Sequence, residues 1–209
     1  TNTVIVIGIP VSLPVLESAP SIWYHELYRT VNALLDQGGY RIASALTAGG
    51  FPSVWIPRDG YGSIGVLLDK PVAFFSHRHA AGLAGLGNFG VNNMLLTPEF
   101  GPRVRFASIL TTAVIAPDPV LEKPLCIRCQ RCVEACPVQA LDGKDYPEGL
   151  TDKKTCAERS EALSGRFISP CGICIKVCPV GEDRKGFGRE DEGMYDEEDT
   201  RFDRYHRAW

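Results

Sequence analysis

Eight cysteines lie between Cys126 and Cys178, and the rest of the 209-residue chain has none. They read Cys126-x2-Cys129-x2-Cys132-x3-Cys136-Pro137, then Cys156, then Cys171-x2-Cys174-x3-Cys178-Pro179. The first run is the ligand pattern of bacterial sites that carry two [4Fe–4S] clusters. Thiolates two residues apart reach one cubane because a tight loop turns each sulfur inward. The fourth lies beyond the next turn and points at the other cluster. Crossed ligation then predicts one cluster on Cys126, Cys129, Cys132 and Cys178, and a second on Cys171, Cys174, Cys136 and Cys156. The thiols match the ligands required, with none left over. Two structural zinc sites are the competing chemistry, since CxxC pairs also suit tetrahedral zinc. The CxxCxxC run followed by Cys-Pro favours iron and sulfur. Two neighbouring cubanes form a wire that takes electrons singly and delivers them to a buried centre.

The rest of the chain has to position that wire. Its composition, 44% hydrophobic and 22% charged with net charge −3, suits a soluble globular protein of one or two domains. Collagen-like, coiled-coil and wholly disordered classes are excluded. No apolar run reaches the 18 residues of a membrane span, so no membrane partner is expected. Slight acidity argues against non-specific nucleic-acid binding through a basic surface. A secreted disulfide scaffold would be shorter and would open on a signal peptide, unlike TNTVIVIGIP. A reducing cytoplasm is therefore expected. The absence of an initiator Met suggests a missing upstream segment.

Thr3 to Ile9 reads as a buried strand. Ser21 caps a predicted helix running through Gln37, with Leu27, Val31, Leu34 and Leu35 on one face and Gly38-Gly39 as its stop. A second helix is expected from Tyr40 to Ala48, and another strand from Ser53 to Ile56. Pro57 to Gly65 reads as turn. Ser76 caps a helix from His77 to Leu86, ended by Gly87, and Phe106 to Thr111 is strand-like. Pro117, Pro119 and Pro124 mark a linker, which places a domain boundary near Ala116. From Gly181 to Trp209 acidic residues outnumber basic ones, while Phe187, Tyr195, Phe202, Tyr205 and Trp209 interrupt them. This segment, 181–209, is expected to lie across the surface as an extended acidic and aromatic tail.

The stretch AGLGNFGVNNMLLTPEFGPRVRFASILTT (84–112), followed by CIRCQRCVEACPVQAL (126–141), resembles the shared core of the epoxyqueuosine reductases and reductive dehalogenases. Gly101-Pro102-Arg103 is similar to the turn of the dehalogenase branch. Tyr24-His25 and the lone Cys156 are similar to the queuosine branch. The resemblance implies an α+β architecture in three parts. These are a nitroreductase-like α/β core (1–116), a two-cluster ferredoxin-like domain (117–180) and the tail. It also implies a corrinoid (cobalamin) that the clusters reduce, an electron donor such as a ferredoxin or flavodoxin, and a small-molecule substrate. The alternative is an electron-transfer protein that relays electrons to a partner enzyme. A flavin in the same core is a weaker option.

The resemblance also nominates residues. Asp69 aligns, through a gap, with the proton-donating acid of the queuosine branch; without the gap His77 falls where its Glu would be. Both are candidate catalytic groups. The branch's Lys-Asn is Asn92-Asn93 here, and these departures weigh against a tRNA substrate. Gly85, Gly87, Asn92, Asn93 and Arg103 are candidate cofactor contacts, because glycines permit close backbone approach to a planar cofactor. Gly85-Leu86-Gly87-x2-Gly90 follows a helix rather than a strand, so a dinucleotide loop is not expected, and a helix C-cap and turn would explain the same glycines. Arg103 and Arg105 suit either a cofactor anion or the acidic tail. His77 and His79, two apart on a helix, point to different faces.

Overall fold

A computed structural model describes residues 1–58, 63–70 and 72–190. Three strands, β1 (Thr3–Pro10), β2 (Ser53–Ile56) and β5 (Val104–Thr111), form an antiparallel sheet of order β1-β5-β2. β5 is central. Its alternate side chains face opposite layers, as a period of two requires. Ala107 packs with Ile7, Ile9, Val31 and Leu35 on one face. Phe106 packs with Val6, Val104, Ala81 and Leu95 on the other. The first layer is covered by α2 (Ile22–Ala48) and the second by α4 (His77–Leu83). A two-stranded ribbon, β3 (Asn88–Phe89) with β4 (Leu95–Leu96), follows α4.

The strands at Thr3 and Ser53 and the caps at Ser21 and Ser76 lie where the sequence places them. Ser21 Oγ accepts from the Tyr24 N–H, and Ser76 Oγ from the His79 N–H. Several expectations need correction. β1 is an edge strand with alternating exposure rather than a fully buried one. Leu34 is 48% exposed, off the buried face of its helix. The Pro57–Gly65 turn gives way at Ser63 to a short helix, α3 (Ile64–Asp69). α4 stops at Leu83, one turn early, because Gly85 takes φ +78°.

The largest correction is Gly38-Gly39, which do not stop α2. The helix runs for 27 residues straight through them. Gly39 is buried where a Cβ would stand 3.2 Å from the Trp55 Cβ, so the pair lets the helix lie close to β2. At Gly38 the nearest atom to such a Cβ is Ile7 Cδ1, at 3.4 Å, an ordinary contact. Opposite signs follow. Gly38→Ala is expected to stabilise by about 1 kcal/mol through helix propensity. Gly39→Leu is expected to destabilise by about 1–3 kcal/mol through overpacking. Urea midpoints of the two variants check both.

The cysteine-bearing region contains α5 (Arg131–Glu134), α6 (Lys153–Ser164), α7 (Ile173–Lys176) and α8 (Asp183–Gly186). α8 shows that the tail begins as an ordered turn. Its later part, with Tyr195, Phe202, Tyr205 and Trp209, lies outside the described residues. Among the described residues no helix is long and apolar enough to cross a membrane.

Candidate metal centre

α5 and α7 are local copies of one another. Each is a single turn entered from a left-handed residue that directly follows a cysteine: Gln130 (φ 64°) after Cys129 and Gly172 (φ 74°) after Cys171. The turn then carries Cys132 or Cys174 inward, and the chain exits through Cys136-Pro137 or Cys178-Pro179. The two turns face each other around an apolar cluster of Val91, Cys132, Leu141 and Val177.

A cavity is lined by Cys126, Cys129, Cys132 and Cys178, with Val91, Leu96 and Ile127 as its apolar wall. Cys178 therefore joins the three cysteines of the first run across more than forty residues of chain. Burial pushes the Cys132 thiol up to about 12, with Cys178, Cys129 and Cys126 adding to the effect. Cys178 is held at about 11, again mainly by burial. The other four thiols form a second set. Burial raises Cys156, and Cys171 and Cys136 raise it further. Cys174 is raised by burial first, then by Cys156 and Cys171.

Buried thiols held neutral in this way need a compensating cation to become thiolates. Among the described residues no three His, Cys, Asp or Glu side chains converge closely enough to share one metal ion. The four cysteines of the first set line one cavity. The donor chemistry and the grouping fit two [4Fe–4S] clusters.

The strand-bearing part of the chain grips the second cysteine run. Arg103, fully buried, donates from Nη1 to the Cys178 carbonyl (3.0 Å) and from Nη2 to the Val180 carbonyl (2.6 Å). Its Nε and Nη2 also reach the Asp183 carboxylate at 2.7 and 2.6 Å. Arg184 Nε donates to the same Cys178 carbonyl at 2.9 Å. Asn92 Nδ2 donates to the Cys174 carbonyl (3.3 Å), while its Oδ1 accepts from the Met94 N–H. Asn93 bonds the Gly149 carbonyl and Thr151. Tyr24 lies so close to the second run that a Cβ on Gly172 would meet its ring at 2.5 Å. His25 donates from Nδ1 to the Ser169 carbonyl at 2.6 Å.

The candidate cofactor contacts are thus engaged within the chain. A Cβ on Gly85 would stand 2.2 Å from the Pro119 carbonyl oxygen, and one on Gly87 1.8 Å from that of Leu96. The close approach these glycines permit is to the protein's own backbone. Arg103 takes the tail carboxylate of Asp183, the second of the two roles its sequence position suits. Asp69 is exposed at the end of α3. His77 is half-buried, with Nε2 donating to the Pro57 carbonyl (3.0 Å) and Nδ1 against Ser108 Oγ (2.9 Å). Among the described residues no hydrogen bond links Asp69 with His77.

His79, singled out with His77 in the sequence, is joined by a partner that the sequence does not suggest. His79 Nε2 lies 2.5 Å from the Tyr146 hydroxyl, and its Nδ1 lies 2.6 Å from Ser76 Oγ. Phe89 stacks on Tyr146 at 4.4 Å between centroids. Local spacing holds no signal for this, since Tyr146 lies far along the chain from His79. Burial, then the Arg78 and Lys153 charges, hold the His79 imidazole below its ordinary value. A depressed histidine contributes stability above its unfolded pKa and loses it as pH falls. The His79–Tyr146 contact should therefore be intact above about pH 6.5 and weaken below it, with a His79 pKa by NMR under about 6.5.

Residues 125–182 match the family model of the 4Fe-4S dicluster domain. The tetrachloroethene reductive dehalogenase of Desulfitobacterium hafniense is 34% identical over 111 residues, covering 46% of this chain and 20% of that protein. The epoxyqueuosine reductase of Listeria monocytogenes serovar 1/2a is 36% identical over 104 residues, 46% of this chain and 27% of that protein. The chain thus matches about a fifth to a quarter of these relatives' length. A solved reductive dehalogenase, described as suggesting a mechanism for B12-dependent dehalogenation, superposes with TM-score 0.68 at 19% identity. That match covers 92% of this chain and 30% of the neighbour, and it establishes likeness of fold. The chain carries a 4Fe-4S dicluster domain and is similar, over about half of its length, to reductive dehalogenases and epoxyqueuosine reductases.

Proposed function

We propose that this chain is the cluster-bearing part of an iron–sulfur reductase, passing electrons one at a time through two [4Fe–4S] clusters to an acceptor. The observation that carries the reading is the crossed arrangement, with Cys178 of the second run on the cavity of the first. When bound, the clusters supply one-electron storage and transfer at potentials set by burial and hydrogen bonding. The chain's own residues do the holding. Arg103 and Arg184 fix the Cys178 carbonyl, Asn92 fixes that of Cys174, and Val91, Leu141 and Val177 keep water from the space between the turns.

The kinship, including a B12-dependent neighbour, supports a corrinoid as the acceptor and a nitroreductase-like core beside the clusters. Gly85, Gly87, Asn92, Asn93 and Arg103, the candidates for contact with it, are engaged with protein atoms. That same engagement favours a second reading, a relay to a separate acceptor protein. Supply from a ferredoxin or flavodoxin, a small-molecule substrate and a cytoplasmic setting belong to the first reading.

Anaerobically prepared protein should contain about eight irons per chain, four for each cluster. A cob(II)alamin EPR signal altered by the protein supports the corrinoid reading. A signal identical to that of free cobalamin supports the relay. Iron well below four per chain overturns both.

A further inference from the structure

A cavity of about 290 Å³ lies beside α6, lined by residues that neighbour Cys136 and Cys174 in the chain. Its floor is apolar: Pro20, Leu163, Ile168 and Ile173. Ala135 and Pro137 close one wall and flank Cys136 in the chain, while Ile173 directly precedes Cys174. Two guanidinium groups, Arg159 and Arg166, line the same space. Arg159 Nε is buried without a hydrogen-bond partner. Neither arginine forms an ion pair among the described residues.

A buried guanidinium donor with no acceptor is costly, and native proteins rarely leave one unless another molecule completes it. A mostly apolar recess with a few convergent polar groups is the usual form of a small-molecule site, and its size here is at the lower end of that class. The chemistry selects the occupant. Two cations on one side, Arg159 half-buried and Arg166 exposed, favour an anion, and the planar fork of arginine suits a carboxylate. The apolar floor requires a hydrocarbon body. An inorganic ion would leave that floor uncovered.

We propose that this cavity binds a small organic anion, its carboxylate paired with Arg159 and Arg166 and its apolar body resting on Leu163, Ile168 and Ile173. Because the wall flanks Cys136, a bound anion places negative charge beside the second thiol set. The occupant then binds more weakly after that set's cluster gains an electron, and by linkage it lowers the cluster's potential. This coupling rests on the cluster reading above; anion binding itself does not.

The test is calorimetry on the anaerobic, iron-loaded full chain with 1-naphthoate, its neutral amide and inorganic phosphate. Naphthoate should bind at least tenfold more tightly than either of the others. Arg159→Gln and Arg166→Gln should each weaken it at least fivefold, with iron content unchanged. Arg159→Lys, which keeps the charge but not the fork, should fall between. A tenfold weaker affinity for the reduced protein corresponds to a potential about 59 mV lower for a one-electron couple at saturating naphthoate. Absence of naphthoate binding, equal binding by the glutamine variants, or equal binding of phosphate overturns the site. Equal affinity for oxidised and reduced protein overturns the coupling. Protein that binds naphthoate but holds no iron overturns the cluster reading and leaves the site standing.

Discussion

Arg103→Met is expected to cost about 3–5 kcal/mol of stability, the range for removing one partner of a buried charge pair. Methionine keeps most of the volume but none of the donors. The Val180 carbonyl loses its bond and the Asp183 carboxylate, with its side chain 9% exposed, loses its cation. Arg184 still reaches the Cys178 carbonyl, so the turn after that cysteine is weakened rather than released. The glycines around the guanidinium leave no room for an alternative packing. A Cβ on Gly181 would stand 2.5 Å from Arg103 Nη2, and one on Gly101 1.9 Å from the Val180 carbonyl oxygen. Urea unfolding under anaerobic conditions measures the loss. Adding Asp183→Leu, which removes the orphaned charge, should recover much of it; no recovery would show that the carboxylate is not the source of the penalty.

The second large effect concerns which cluster each cysteine serves. Cys178→Ser should reduce iron from about eight to about four per chain, and so should Cys126→Ser. The double variant Cys126→Ser/Cys178→Ser should lose no more than either single one, because both thiols line one cavity. Cys174→Ser/Cys178→Ser should lose nearly all iron, although those residues lie only four apart in the chain. If the nearby pair behaved as one unit and the distant pair as two, ligation would follow chain order and the crossed assignment would fall. Iron analysis with EPR of the reduced variants separates the outcomes.

How much of this was legible beforehand depends on how far apart the interacting residues lie. The ligand pattern is local: a few residues set the turn that aims each sulfur, and the Cys-Pro exits mark where the chain crosses over. The caps at Ser21 and Ser76 are local too. Gly38-Gly39 read as a stop because glycine lowers helix propensity, yet Trp55, on another element, makes the absence of a side chain useful there. α3 was hidden by the glycines before it, although Ser63 ahead of Val66-Leu67-Leu68 is a cap signal. Arg103 suited two partners equally, and only the fold shows that Asp183, eighty residues on, meets it. Tyr146 carries no spacing signal because its partner His79 lies far away in the chain, and Arg159 because the cavity it lines is assembled from separate segments.

The exchange of cysteines between the two runs also bears on how the protein matures. The ribosome releases Cys126, Cys129 and Cys132 early, but the thiol that completes their set is the last of the eight to emerge. The other set opens with Cys136 and closes only at Cys174. Neither set is whole until Cys174 and Cys178 have emerged, so neither cluster can be completed before the second run has been made. The half-made chain presents reactive thiols throughout that interval, and its yield should depend on how well oxygen is kept out while they wait.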